Sequence, residues 1–110
     1  PVAALRSREM AAYVLIEARV SDPASFEKYK KLAEEAIGKY QGRFLARGGP
    51  VEVLEGSWTK PERLVIIEFE SVAQAKKFYN SPEYGSAREL RKDAAIMNML
   101  VIDGLSLMSV

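Results

Sequence analysis

The chain has no cysteine, no histidine and a single tryptophan among its 110 residues. Without cysteine it can form neither disulfides nor thiolate metal sites, a composition that fits a reducing cytoplasm. Without histidine it lacks the side chain that titrates near neutrality, the commonest metal ligand and the usual proximal haem ligand. The expectation is of no cofactor and no metal, with any chemistry left to carboxylates, Arg, Lys, Tyr or Ser.

An excess of one charge is also missing. The 16 basic and 15 acidic residues leave a net charge of +1, and their scatter advertises neither nucleic acid nor an anionic membrane surface as a partner. Apolar runs such as Leu64-Val65-Ile66-Ile67 and Met99-Leu100-Val101-Ile102 fall far short of the roughly 20 residues needed to cross a bilayer. Pro1 to Glu9 carries Arg6 and Arg8 but no apolar core or small-residue cleavage site, so it is not read as a secretory signal. Residues 1–9 read as an extension outside the domain, and 10–110 as a single domain. An amino-terminal proline is the base of tautomerases, but there it opens the first strand, whereas Pro1 lies well upstream of one. Gly48-Gly49 lacks the lysine and the glycine spacing of a phosphate loop and reads as a bend.

What remains is a globular composition, 48% hydrophobic and 28% charged, of a size that buries one core. Ala12 to Val20 alternates, with Val14, Ile16, Ala18 and Val20 on one side and Tyr13, Leu15, Glu17 and Arg19 on the other, as a half-buried strand does. Asp22-Pro23 supplies an N-cap and a first-turn proline. The helix that follows packs through Phe26, Tyr29, Ala33, Ala36, Ile37 and Tyr40 and exits at Gly38 and Gly42. Arg43 to Arg47 alternates as a second strand, which Val51 to Leu54 would extend past a bend. A turn-rich connection precedes a β-branched third strand, Arg63 to Glu70. Ser71 caps a second helix that buries Val72, Ala75, Phe78 and Tyr79. Asn80-Ser81-Pro82 interrupts it, and Pro82 opens a further helical stretch to Ala94. Ile96 to Asp103 is the fourth strand, and Leu105 to Val110 an apolar tail.

The order strand, helix, strand, strand, helix, strand has few right-handed solutions, and the ferredoxin-like α+β antiparallel sheet is the commonest. Its helices cover one face only. The other face, carrying Leu15, Leu45, Leu64 and Ile66, is too apolar to leave wet. Burying those four side chains is worth about 6 to 10 kcal/mol before association costs. A homodimer of two sheets packed face to face, a dimeric α+β barrel, is therefore expected, with the tail from Leu105 crossing onto the neighbour.

Five motifs occur in order: Asp22-Pro23 before Phe26 and Tyr29; Gly42-Arg43-Phe44-Leu45-Ala46-Arg47-Gly48-Gly49; Val53-Leu54-Glu55-Gly56 before Trp58; Glu62-Arg63-Leu64-Val65-Ile66-Ile67-Glu68-Phe69; and Phe78-Tyr79-Asn80-Ser81-Pro82-Glu83-Tyr84. On these the chain resembles the bacterial domain of unknown function 1330 (DUF1330) family over Met10 to about Gly104. The resemblance implies a dimeric ferredoxin-like barrel and no particular activity. Similar barrels serve as oxygenases, isomerases, haem-degrading enzymes and interaction modules.

The candidate site follows from strand parity. With strands one and three adjacent, Glu17 and Glu68 fall on the barrel side, and Arg47 arrives there from strand two. Two carboxylates beside an arginine suit acid–base chemistry or an anionic ligand. They equally suit ion pairs that fix a dimer's register. Tyr13, placed near Glu17, and Trp58, in its Gly- and Pro-containing loop, complete a proposed ligand-binding set of Tyr13, Glu17, Arg47, Trp58 and Glu68. The leading expectation is a small polar or anionic ligand. A cofactor-independent enzyme using Glu17, Glu68 and Arg47 for proton transfer is the first alternative, and an interaction module without ligand the second.

Overall fold

The computed structural model describes residues 11–105. Strand β1 (Ala12–Val20) leads into helix α1 (Pro23–Lys39), and β2 (Arg43–Arg47) is followed by β3 (Arg63–Phe69). Helices α2 (Val72–Tyr79) and α3 (Pro82–Arg91) then precede β4 (Ala95–Asp103). The strands form one sheet in the order β2-β3-β1-β4, antiparallel throughout. The expected adjacency of strands one and three is observed, and the architecture is the ferredoxin-like α+β fold. Residues 1–10, including Pro1, and all of the apolar tail beyond Leu105 lie outside the described residues.

Local chemistry explains each helix boundary. Asp22 sits in extended conformation before α1, and its carboxylate accepts from the Ser25 amide at 3.3 Å and the Ser25 hydroxyl at 2.8 Å, satisfying a donor that the first turn leaves free. Gly38 lies inside α1. The left-handed residue at its exit is Gln41, with φ of 64°. Gly42 is required next because a Cβ there would stand 2.7 Å from Ile37 Cγ2 and 2.8 Å from the Phe69 ring. Ser71 caps α2 through the Gln74 amide at 3.0 Å. Buried Ser81 joins α2 to α3: its hydroxyl accepts from the Tyr84 amide at 3.1 Å and donates to the Phe78 carbonyl at 2.6 Å. α3 stops at Arg91, short of Ala94, whose carbonyl accepts the amides of Ser21 at 2.8 Å and Asp22 at 3.1 Å.

The core lies between the helices and one face of the sheet. Val14, Ile16, Ala18, Ile67 and Phe69 face Phe26, Tyr29, Ala33, Ala36, Ile37, Phe78, Tyr84 and Ala87. A continuous aromatic chain runs through it, with centroid separations of 5.1 Å for Phe69–Phe78, 4.6 Å for Phe78–Tyr84, 6.2 Å for Tyr84–Tyr29 and 5.3 Å for Tyr29–Phe26. These contacts tie β3, α2, α3 and α1 together, each pair adding to the area it buries. Deep in this chain the Tyr29 and Tyr84 hydroxyls hydrogen-bond to each other at 2.8 Å.

The opposite sheet face is uncovered. It carries Leu15, Leu64 and Ile66, and β4 adds Ile96, Leu100 and Ile102, which are 72%, 58% and 56% exposed. No helix among the described residues is long and apolar enough to cross a membrane.

Candidate functional site

The residues singled out by strand parity do not converge within one chain. Glu17 pairs across the sheet with Leu64, and Glu68 with Tyr13. An offset of four residues at about 3.4 Å each separates the two carboxylate positions by roughly 14 Å along the strands. Each has its own neighbour: Glu17 accepts from Asn98 Nδ2 at 3.2 Å, and Glu68 accepts from Arg43 Nη2 at 2.8 Å. Tyr13 stands opposite Glu68 and not beside Glu17.

Arg47 is on the other side of the sheet. The β2–β3 register runs Phe44↔Ile67 and then Ala46↔Ile66, so an extra residue, Leu45, interrupts the ladder. Such a bulge reverses the parity of everything after it. Arg47 consequently pairs with Val65 on the helix-covered face, donates to Glu34 Oε2 at 3.0 Å and lies 4.2 Å from the centroid of the Phe44 ring. Its guanidinium holds the Glu34 carboxyl below the usual range, first through the hydrogen bond and then through its charge. The expected cluster of Glu17, Glu68 and Arg47 is thus replaced by separate pairs on two faces. Val51 to Leu54 does not extend β2; residues 48–62 form a loop in which Leu54 and Trp58 are 95% and 69% exposed.

Between the sheet and the helices, at the β4 side, lies a half-open cavity of about 280 Å³, lined by Val14, Ala75, Lys76, Phe78, Tyr79, Arg91, Met97, Met99, Leu100 and Val101. Each strand residue except Leu100 comes from the helix-facing set. α2 supplies Lys76 and Tyr79, and the last turn of α3 supplies Arg91. The charged side chains in this wall are both cationic. Arg91 Nε is buried and has no hydrogen-bond partner, and the guanidinium lies 5.6 Å from the Tyr29 ring centroid. Burial, and secondarily Tyr84, pushes the Tyr29 hydroxyl far above its ordinary pKa, while Arg91 acts in the opposite sense. The Tyr29 hydroxyl therefore remains neutral. A smaller cavity of about 40 Å³ lies under α1 and includes Arg47, Glu34, Lys30 and Arg63.

Neither Arg91 nor Lys76 is among the site residues expected from the sequence; Lys76 is exposed, and Arg91 is half-buried. A signal for Arg91 was present: with Tyr84 and Ala87 it continues the i, i+3, i+7 stripe that α3 buries.

Fold and cavity together define an α+β domain of the ferredoxin-like class, with a cation-lined pocket between its helices and its sheet. The chain belongs to the family described as Domain of unknown function (DUF1330), whose model matches residues 11–105. Among solved structures, it is similar to a protein of unknown function from Rhodopseudomonas palustris, with 20% identity, a TM-score of 0.68, and 96% of this chain and 92% of that chain covered. It is also similar to SnoaB, a cofactor-independent oxygenase from Streptomyces nogalater, with 11% identity, a TM-score of 0.61 and coverages of 84% and 91%. A dimeric protein of unknown function and ferredoxin-like fold from Bacteroides fragilis matches with 12% identity, a TM-score of 0.57 and coverages of 84% and 95%. No curated protein matches the chain.

Proposed function

We propose that this domain is a cytoplasmic homodimer of the α+β barrel type that binds a small polar or anionic molecule in the cavity between its helices and sheet. The observation that carries the reading is the cavity itself: about 280 Å³, apolar over most of its wall, with Arg91 and Lys76 as its charged groups. Ligand sites have this character, a mostly apolar concavity with few polar groups, and volumes from about 300 Å³ upward. No carboxylate is among the lining residues, which favours binding over proton transfer. The fold shared with an oxygenase leaves that preference unchanged, since one fold hosts many activities.

The dimer rests on the uncovered sheet face. Strands of 9, 5, 7 and 9 residues, at about 3.4 Å per residue and about 4.8 Å between strands, present a footprint of roughly 500 Å². A stable interface typically buries about 800 Å² per partner, and Leu54 and Trp58 of the 48–62 loop are further exposed apolar side chains available to it. That the Bacteroides fragilis protein of like fold is dimeric supports a dimer here. In that interior Glu17 with Asn98, and Glu68 with Arg43 and Tyr13, serve as polar pairs that fix register. They are not assigned to catalysis. Thermal-shift screening of a metabolite library against the intact chain, with Arg91→Met and Glu68→Gln as comparators, tests the reading. A hit that Glu68→Gln abolishes and Arg91→Met tolerates moves the site to the open face.

A further inference from the structure

The helix-side cavity is electrostatically one-sided. Among the described residues no carboxylate oxygen lies within 4.0 Å of Lys76 or Arg91, nor of Arg88 one turn earlier, because the ion pairs present involve other side chains. Arg88 instead lies 4.6 Å from the ring centroid of Tyr79, itself part of the cavity wall. The sole buried side-chain nitrogen or oxygen without a partner among the described residues is Arg91 Nε. A buried donor on a charged group without an acceptor is costly. Of the side chains that line the cavity, the Tyr79 hydroxyl is the one acceptor of ordinary strength, and none carries a negative charge to balance Arg91 and Lys76.

We propose that the cavity is a site for a small amphiphilic monocarboxylate, with its carboxylate on Arg91 and its apolar body against Val14, Phe78, Met97 and Met99. The proposal rests on the reading that this cavity is the binding site, and specifies the class of molecule. A planar carboxylate matches the donor fork of a guanidinium, and Lys76 adds a second positive charge without a fixed geometry. A phosphate would bring more charge and more acceptor oxygens than two cations in an apolar wall can satisfy. The aromatic contact with Tyr29, at 5.6 Å from guanidinium carbon to ring centroid, holds Arg91 in place before any ligand enters. Two methionines give the opposite wall an adaptable surface, so chain length and branching of the body are tolerated over a range.

The test uses matched probes that differ only in charge: hexanoate against 1-hexanol, and benzoate against benzyl alcohol, titrated into the full chain at pH 7 and followed through the methionine methyl resonances. Each carboxylate is expected to bind about tenfold or more tighter than its alcohol, the scale of one charge-assisted hydrogen bond. Arg91→Met should remove that ratio while leaving alcohol binding intact, which also establishes that the variant is folded. Lys76→Met should reduce it only in part. Equal binding of acid and alcohol to the parent chain overturns the carboxylate assignment and leaves the cavity as a site. A carboxylate preference that survives in Arg91→Met overturns the role of Arg91. Failure of all four probes to shift the Met97 and Met99 resonances overturns the cavity reading itself.

Discussion

Arg47 Nη2 donates to Glu34 Oε2 at 3.0 Å across the gap between β2 and α1, on the face of the sheet opposite to Glu68. The pair is exposed, so its contribution to stability is small. Arg47→Ala is expected to leave the unfolding midpoint close to that of the parent and to leave ligand binding in the helix-side cavity unchanged. A loss of binding in that variant would return Arg47 to the site.

The Tyr29–Tyr84 hydroxyl pair makes a sharper prediction, because both rings are buried and the 2.8 Å bond is internal. Tyr84→Phe strands the remaining hydroxyl and should cost about 1–3 kcal/mol in urea unfolding. The double change Tyr29→Phe with Tyr84→Phe removes both polar groups and should recover part of that loss. Additive losses would mean the hydroxyls are satisfied independently.

Ser81 both caps α3 and holds the Phe78 carbonyl. Ser81→Ala is expected to destabilise the domain by about 1–2 kcal/mol, at the upper end for a lost cap because the site is buried. Ser81→Thr or Ser81→Asp keeps the acceptor and tests whether the cavity wall from Tyr79 to Arg91 depends on the cap.

Asp22 supplies the pH dependence. Its pKa is lowered first by the Ser25 hydroxyl and then by the Ser25 amide. A carboxylate depressed in the folded state stabilises above its unfolded pKa of about 3.9, and that contribution disappears as pH falls through the folded value. The stability difference between parent and Asp22→Ala should therefore be constant above about pH 5 and shrink in stronger acid. Denaturation midpoints between pH 2.5 and 7 measure it. A difference that grew on acidification would contradict the capping role.

The open face predicts the assembly. Leu15 lies on central β1, opposite Ile66 on one side and Leu100 on the other. Leu15→Glu places a charge at the middle of that patch and should give a folded single chain by light scattering and circular dichroism. An unchanged mass for parent and variant, both monomeric, would remove the dimer.

Strand alternation and helix capping made most of the fold legible. Val14, Ile16 and Ala18 are inside and Leu15 outside, as alternation requires, and Asp22, Ser71 and Ser81 cap the three helices. The candidate site was less legible because it hung on one parity. Arg43-Phe44-Leu45-Ala46-Arg47 alternates equally well with or without a bulge, and no glycine marks it; only the ladder with β3 decides. Arg91 was hidden for another reason. A long cationic side chain can end an exposed helix and still lay its stem along a buried stripe. The loop of residues 48–62 carries Val51 and Val53 in a strand-like alternation, but no strand accepts it among the described residues.

β4 is an edge ribbon with two different duties. Met97, Met99 and Val101 wall the cavity, while Ile96 and Ile102 stand on the uncovered side, and Leu100 belongs to both. On the proposed reading, occupancy of the pocket and docking of a second copy would act on the same short stretch of backbone. If ligand binding twists that ribbon, its effect on docking is matched by an equal effect of docking on binding, because such coupling is reciprocal. The dimer's dissociation constant, compared with hexanoate present and absent, is where that shared leverage becomes measurable.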